Sequence, residues 1–443
     1  MRQLRIALLL FLLFLSLASC SPGHLGGNEI AFVRDGHLWT IDPSGANAFE
    51  VVTESAPVIG YAWSPDHHIF VFRLLDSGHA SKHYATNPIT GLPGDLPSSL
   101  NTVGIDGGVP IPIVASSIDI QHSNAWWNTS GNRLLYREES THMQDQSPID
   151  VSWWVSQNDQ PDGIARKSLP ASYSIPSFTS SSSMVIGSSL QGIFTTTLAG
   201  TNLQWLAHGM LPGHPLPATL ERVLWQPAHQ QPVLLYAVTA TSLPSSSPQP
   251  STGNAPAVQL VMRDYSGQTN AITTCYCTQF AWSPNGNSIL YSTGTTDTIY
   301  TLKQHTAFSF TVEDGSVPYW SPDSQFLLLD GLHTLSLVQV ANQRQQQLLA
   351  DTSTGTATST LPDAHALLQP VPNSLWASDG RHFLVLTRGR LLWQGRGLNS
   401  GNGLYSVTID DQGHTQGTPA VVDTGNDSQA GWSYEDPNTS FLL

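Results

Sequence analysis

A short aromatic motif recurs along the chain, and it constrains the fold more than any other feature. Trp-Ser-Pro-Asp occurs at Trp63 and Trp320, Trp-Ser-Pro-Asn-Gly at Trp282, and Trp-Ala-Ser-Asp-Gly at Trp376, each before a short apolar run. Four divergent copies follow the same plan. The eight aromatic anchors, spaced 64, 51, 47, 57, 38, 56 and 56 residues apart, are Trp63, Trp127, Phe178, Trp225, Trp282, Trp320, Trp376 and Trp432. Self-similarity of this kind indicates a repeat architecture.

Each repeat has the chemistry of a small antiparallel sheet. The aromatic residue ends one strand and offers a large apolar face for packing. Ser-Pro-Asp-Gly is turn chemistry, because proline fixes φ, the aspartate bonds nearby backbone and glycine accepts positive φ. A β-branched or aromatic run such as 69–72 then predicts the next strand. Later stretches such as 37–41 and 49–52 predict a third and fourth strand, which completes a four-stranded meander.

A single four-stranded sheet cannot bury both of its faces, whereas sheets packed radially around an axis can. No segment shows the sustained 3.6-residue apolar periodicity of a helical solenoid, which is the main alternative repeat fold. The motif resembles the TolB-like, or WSPDG, repeat over residues 29–443, essentially the whole mature chain. That resemblance implies an all-β propeller of four-stranded antiparallel blades. The anchor count predicts eight blades, with seven as the alternative.

The two ends of the repeat region complement one another. Residues 30–42 read as later strands without an opening anchor, and residues 432–443 read as an opening anchor without later strands. We expect these halves to share one composite blade that closes the ring and removes its open sheet edges. The length beyond about 45 residues per blade falls mainly in three stretches, 76–100, 243–256 and 351–373, and loops of this kind commonly carry recognition.

The amino terminus reads as an export signal. Arg2 and Arg5 precede an apolar stretch at 6–17, which is too short to span a bilayer comfortably. Leu17-Ala18-Ser19-Cys20 then resembles a bacterial lipobox, which implies cleavage before Cys20 and lipid on its thiol. An ordinary signal peptide with a chance cysteine is the alternative. The predicted organisation is a signal peptide at 1–19, a lipidated cysteine and flexible tether at 20–28, and a single propeller domain at 29–443. It places the protein outside the cell membrane and anchored to it.

Charge and cysteine content narrow the possible partners. The net charge is −15, and loss of Arg2 and Arg5 leaves 15 basic against 32 acidic residues, or −17. Such an acidic chain does not suit nucleic acid. Cys275 and Cys277 stand two apart, which favours buried thiols or a strained disulfide over a metal site.

No catalytic motif, metal site or cofactor site is predicted. The sequence has no Gly-x-Ser-x-Gly elbow, no His-Glu-x-x-His and no phosphate-binding loop. His67-His68 replaces the glycine step of the first anchor turn, and we expect solvent-facing turn residues there, not metal ligands. Trp153 and Trp154 are adjacent on a predicted strand, so their rings should lie on opposite faces, with packing between blades the preferred explanation.

Three functions fit this sequence. The first, which we favour, is a membrane-anchored scaffold that binds a protein, peptide or glycan and is not an enzyme. The second is a sensory or accessory lipoprotein of an envelope signalling system. The third is a glycan-active enzyme with its site at the central channel. Ionisable side chains that converge at one channel mouth would favour the enzyme.

Overall fold

The computed structural model describes most of the chain from residue 28 onward. The described residues are 28–79, 97–117, 120–140, 150–156, 166–169, 176–179, 183–189, 191–208, 220, 222–227, 233–240, 257–313, 315–331, 334–350, 367–368, 374–389, 392–393, 396–398 and 401–433. Among them no helix is long and apolar enough to cross a bilayer.

The described strands form eight antiparallel blades, as predicted, and we number the blades in chain order. Blade 1 contains β4 (Val58–Trp63), β5 (Ile69–Leu75), β6 (Ser98–Gly104) and β7 (Gly107–Val114). Blade 2 contains β8 (Ile120–His122), β9 (Trp126–Trp127), β10 (Leu134–Ser140), β11 (Asp150–Ser156) and β12 (Arg166–Ser168). Blade 3 contains β13 (Ser177–Phe178), β14 (Met184–Ser189), β15 (Gly192–Thr197) and β16 (Gln204–His208). Blade 4 contains β17 (Val223–Trp225), β18 (Leu234–Thr239), β19 (Val258–Arg263) and β20 (Thr269–Cys275).

The second half of the ring repeats the same meander. Blade 5 contains β21 (Gln279–Trp282), β22 (Ser288–Ser292), β23 (Thr296–Thr301) and β24 (Thr306–Thr311). Blade 6 contains β25 (Val317–Trp320), β26 (Phe326–Asp330), β27 (Thr334–Gln339) and β28 (Arg344–Ala350). Blade 7 contains β29 (Leu367–Leu368), β30 (His382–Arg388), β33 (Gly403–Thr408) and β34 (Ala420–Asp423), with an extra hairpin of β31 (Leu392–Trp393) and β32 (Arg396–Gly397). Blade 8 contains β35 (Asp427–Trp432), β1 (Ile30–Arg34), β2 (His37–Ile41) and β3 (Phe49–Glu50).

Blade 8 closes the ring, because β35 pairs with β1 antiparallel and Trp432 lies opposite Ile30. The Ser433 amide donates to the Glu29 carbonyl at 2.9 Å. The closing strand therefore ends at Trp432, whereas the sequence interpretation began the carboxyl-terminal half-blade there. An anchor ends the first strand of its blade, so the residues before it supply the pairing. Residues 434–443, which include Phe441, lie outside the described residues.

The first strand of each blade is innermost and the fourth is outermost. The first strand of blade 6, β25, is almost entirely buried, whereas the fourth strands β24 of blade 5 and β7 of blade 1 expose at least half of their side chains. The apolar side chains between blades form the core. The largest buried cluster spans blades 6, 7 and 8, and its members include Phe326, Leu328, Phe383, Leu404, Phe32 and Trp432. Stability therefore depends on contacts between blades as well as within them.

The meander sorts all connections onto two faces of the ring. We call the face with the first-to-second and third-to-fourth strand turns the turn face; it carries the motif turns after the anchors. We call the opposite face the link face. It carries the second-to-third strand hairpins and the links from one blade to the next, such as 424–426.

The three long stretches predicted as recognition loops all begin and end on the link face. They separate β5 from β6, β18 from β19, and β28 from β29. The first is shorter than predicted, because Ser98–Gly104 is the third strand of blade 1 and the predicted loop ran to residue 100. Residues 243–256 lie outside the described residues, as do residues 351–373 apart from Leu367–Leu368.

Candidate functional site

The eight predicted anchors lie at the turn face, where seven of them end a strand; the eighth, Trp376, forms an isolated bridge with Phe383. Five of them are at most 2% exposed: Trp63, Trp282, Trp320, Trp376 and Trp432. The other three, Trp127, Phe178 and Trp225, are partly buried against neighbouring clusters. These rings pack between blades and present little surface to a ligand.

The serine of the motif has a structural task at the turn face. The Ser321 hydroxyl donates to Asp323 Oδ1 at 2.7 Å and accepts from the Phe326 amide at 2.9 Å. Ser64 makes the same two contacts with Asp66 and Ile69. These hydrogen bonds join the turn to the next strand.

The other predicted turn-face feature is the His67-His68 pair. His67 has a φ of 60°, which is the left-handed conformation that the motif glycine supplies elsewhere, as at Gly380 with a φ of 65°. Its ring lies edge-on to Trp63 at 6.4 Å between centroids, and burial lowers its pKa. No group of three potential metal ligands occurs among the described residues.

Buried ionisable side chains concentrate on the link face. Seven of the described Asp, Glu, Lys, Arg and His residues are buried, and among these seven only Glu29 lies toward the turn face. The six on the link face are Arg73, His122, Arg222, Asp297, Asp330 and Asp427. Burying a charged side chain costs free energy unless an ion pair or hydrogen bonds offset the loss of water. Buried ionisable side chains therefore tend to cluster at functional sites.

The most completely described cluster lies where blade 7 meets blade 8. Arg34, at the end of β1, forms ion pairs with Asp423 and with Asp427, the latter at 3.1 Å. Its guanidinium also lies 5.0 Å from the Phe32 ring centroid and 5.3 Å from that of Trp39. The cation is thus held between two rings and two carboxyl groups.

Asp423 and Asp427 share one proton near neutral pH. Burial, and then the adjacent Asp423 carboxylate, raise the pKa of Asp427 to about 7 in spite of Arg34. The pKa of Asp423 is lowered, because hydrogen bonds from Asp427, Gly425 and Arg34 outweigh its burial. Two adjacent carboxyl groups cannot both ionise freely, so the pair keeps its last proton on Asp427.

Two further carboxyl groups are buried at link-face hairpins. Burial, together with the Glu313 carboxylate, raises the pKa of Asp330 to about 8. Glu313 itself accepts from the amide and hydroxyl of Thr334 at 2.9 and 2.8 Å. In blade 5, burial raises the pKa of Asp297 to about 6, and Ser292 across the hairpin partly offsets it.

The three basic residues among the six buried link-face residues lie in blades 1, 2 and 4. Arg73 donates to Asn124 Oδ1 at 3.1 Å, which joins blade 1 to blade 2. Arg222 lies just before β17 in blade 4, and burial lowers its pKa to about 10. His122 Nδ1 donates to the Ser98 carbonyl at 2.7 Å. The link face therefore combines acidic groups in blades 5, 6 and 8 with basic groups in blades 1, 2 and 4.

The remaining sequence predictions fall in three places. Cys20 lies outside the described residues. Cys275 and Cys277 are joined by a disulfide, one of the two predicted alternatives, and both are buried. Trp153 is buried against Trp126, whereas Trp154 packs in part against the cluster between blades 1 and 2.

The comparisons with known proteins agree with the fold and go no further. No family model and no curated protein matches the chain. A solved eukaryotic initiation factor is similar at 11% identity and a TM-score of 0.50, over 93% of this chain and all of that one. Dipeptidyl peptidase 4 of Porphyromonas gingivalis is similar at 8% identity and a TM-score of 0.49, over 80% of this chain and 53% of that one. An oligogalacturonate lyase in complex with manganese is similar at 11% identity and a TM-score of 0.43, over 72% of this chain and 84% of that one.

The likeness to the initiation factor supports a shared fold alone. The fold defines the chain as an eight-bladed β-propeller, a class that includes both enzymes and proteins without catalytic activity. Propellers present loops from many blades on one face, so the fold supports a binding or scaffold role.

Proposed function

We propose that this protein is a membrane-anchored propeller of the TolB-like kind, outside the cell membrane, that binds a protein, peptide or glycan partner on its link face. The observation that carries the proposal is the concentration of buried Asp, Glu, Arg and His side chains on that face, at six of seven such positions among the described residues. The three longest insertions also begin and end there.

The buried groups favour binding over catalysis. A general acid must reach its substrate, yet Asp297, Asp330 and Asp427 are only 1%, 4% and 4% exposed. Their task is then to hold the hairpins and links that form the face. A preorganised face with both donors and acceptors suits a polar partner such as a peptide or a glycan.

Two exposed cations provide a matched test of the face. Arg388 ends β30 on the link face, and Lys303 lies in the turn between β23 and β24 on the turn face. We would reverse each charge in the full chain, with Arg388→Glu and Lys303→Glu. Both variants should unfold at the wild-type temperature, because exposed substitutions typically change stability by less than about 0.5 kcal/mol.

The binding probes are arrays of defined peptides and glycans, together with detergent-solubilised membranes of the producing cells. The proposal predicts that Arg388→Glu weakens capture and Lys303→Glu does not. Loss with Lys303→Glu alone would place the site on the turn face and refute the assignment. Hydrolysis or lyase cleavage of an arrayed glycan would favour the enzyme alternative.

The anchor has a separate test. If Cys20 carries lipid, Cys20→Ser should move the protein from the membrane fraction to the soluble fraction on cell fractionation. Membrane retention equal to wild type would contradict lipid anchoring and leave the binding proposal to stand on its own test.

A further inference from the structure

We infer that the propeller docks on the bilayer through the turn-face rim where blades 8 and 1 meet, with the link face turned away from the membrane. This inference rests on the proposed lipid anchor and adds an orientation to it. We call the segment Gly107–Ile111, at the start of β7, the docking rim.

The first argument is an exposed apolar patch beside the point where the tether joins the domain. Val109 is 89% exposed and Ile111 is 43% exposed, on the outermost strand of blade 1. Gly108 has open space around it, so the segment projects from the ring. Proline at 110 and 112 removes amide donors from this edge, which disfavours pairing with another strand. A lipid surface needs no such donors.

The second argument is where the tether attaches. The described chain begins at Asn28 and enters β1 at its turn-face end, beside Ser433. Blade 8 lies directly against the docking rim, because a Cβ on Gly107 would come within 3.4 Å of the Phe49 ring. The tether and the apolar patch therefore occupy adjacent blades on the same face.

The third argument is reach. Eight residue steps separate Cys20 from Asn28, which span at most about 29 Å when fully extended. To bring the link face to the bilayer, the tether would have to pass two outer strands, or about 10 Å, and then climb a blade of about 20 Å. That path would use the full extended length of the tether, whereas docking through the turn face needs only a small part of that length.

Charge restricts the contact to the rim. Motif and turn carboxylates carry lowered pKa values, so they are ionised at neutral pH; they are Asp66, Asp264, Asp323, Asp379 and Asp410. Where no cation offsets them, as Arg381 does for Asp323, they repel anionic lipids on the turn face. Asp106, exposed at the hairpin tip, limits penetration to the headgroup boundary, as at other interfacial contacts. Contact should therefore weaken with anionic lipid at low ionic strength and recover with salt.

A pair of single-site labels tests the orientation. Cys275 and Cys277 are in a disulfide and Cys20 carries the lipid, so a cysteine introduced as Val109→Cys is the reactive thiol. Val151→Cys is the matched control, because Val151 is 46% exposed at the link-face end of β11. Each full-length lipidated variant is labelled with an environment-sensitive fluorophore and reconstituted into phosphatidylcholine vesicles, with and without phosphatidylglycerol and with quencher-bearing lipid.

The inference predicts a blue shift and loss of most fluorescence at position 109, and neither at position 151. Flotation is measured first. If the lipidated chain floats with the vesicles but position 109 stays as unquenched as position 151, the docking inference is overturned while the anchor stands. If the chain does not float, the anchor fails and the docking inference fails with it. Shielding of position 109 without vesicles, with a dimeric mass, would show that a second copy covers the rim.

Discussion

Replacement of Trp432 by alanine tests how the ring closes. Trp432 is 2% exposed, its backbone pairs with Ile30, and its side chain belongs to the cluster shared by blades 6, 7 and 8. Truncation of a buried tryptophan typically costs about 3–5 kcal/mol. The unfolding entropy is about 2.1 cal/mol/K per residue, so the unfolding free energy of a chain of 443 residues falls by about 0.9 kcal/mol per degree near Tm. The Tm of the variant should therefore fall by about 3–6 °C.

Trp282→Ala separates closure from ordinary core loss. Trp282 is equally buried at the same anchor position, but blade 5 lies away from the closure. Both variants should lose similar stability by calorimetry, and Tyr265→Ala, at a 65% exposed position, should change little. Hydrogen exchange of the amides at 30–34 should accelerate only in Trp432→Ala, because that strand loses its inner partner. Equal exchange at 30–34 in both tryptophan variants would refute the closing role of β35.

Three further predictions concern the link face. Folded Asp330 keeps a proton up to about pH 8, whereas unfolded aspartate loses it near pH 4; unfolding free energy should therefore fall as pH rises between these values. Asp330→Asn should reduce this fall, so the Tm of the variant should exceed the wild-type Tm by an increasing margin from pH 5 to pH 8. Parallel plots of Tm against pH for the two proteins would contradict the argument that burial raises the pKa of Asp330. Gly425→Ala places a Cβ 2.6 Å from Arg34 Nε and should destabilise the protein by about 1–3 kcal/mol in chemical denaturation. The control Gly401→Ala places a Cβ that meets nothing within 4 Å and should leave the stability unchanged. Equal stability of the two variants would show that the Arg34 cluster tolerates displacement. Alkylation of the denatured lipidated protein should modify no thiol before reduction and two after it, and two modified thiols without reductant would refute the disulfide.

The repeat motif predicted the fold because its turn chemistry is local. Ser321, Asp323 and Phe326 lie within six residues, so one short motif specifies the turn and the start of the next strand. The blade count followed from the anchors, even where Phe178 replaces tryptophan. The closing strand was placed too late, because a lone anchor at Trp432 does not indicate on which side its strand lies.

The candidate site could not be predicted in the same way. Arg34 and Asp427 are 393 residues apart in the chain and meet only because blade 8 is composite. Asp330 ends β26 and Asp297 is the second residue of β23, so both lie beside a hairpin, where aspartate is common for turn reasons alone. Their burial comes from neighbouring blades, which the sequence of one repeat does not encode. The sequence contains one signal for this site, which is an aspartate outside the motif at the hairpin end of a buried strand.

Photo-crosslinking in living cells tests the central claim most directly. A photoreactive amino acid is placed at Arg388 on the link face and, in a second strain, at Lys303 on the turn face of the full-length protein. Our account predicts a discrete crosslinked partner from position 388 on irradiation and none from position 303. A discrete partner from position 303 with none from position 388 would contradict the assignment of the link face as the binding face.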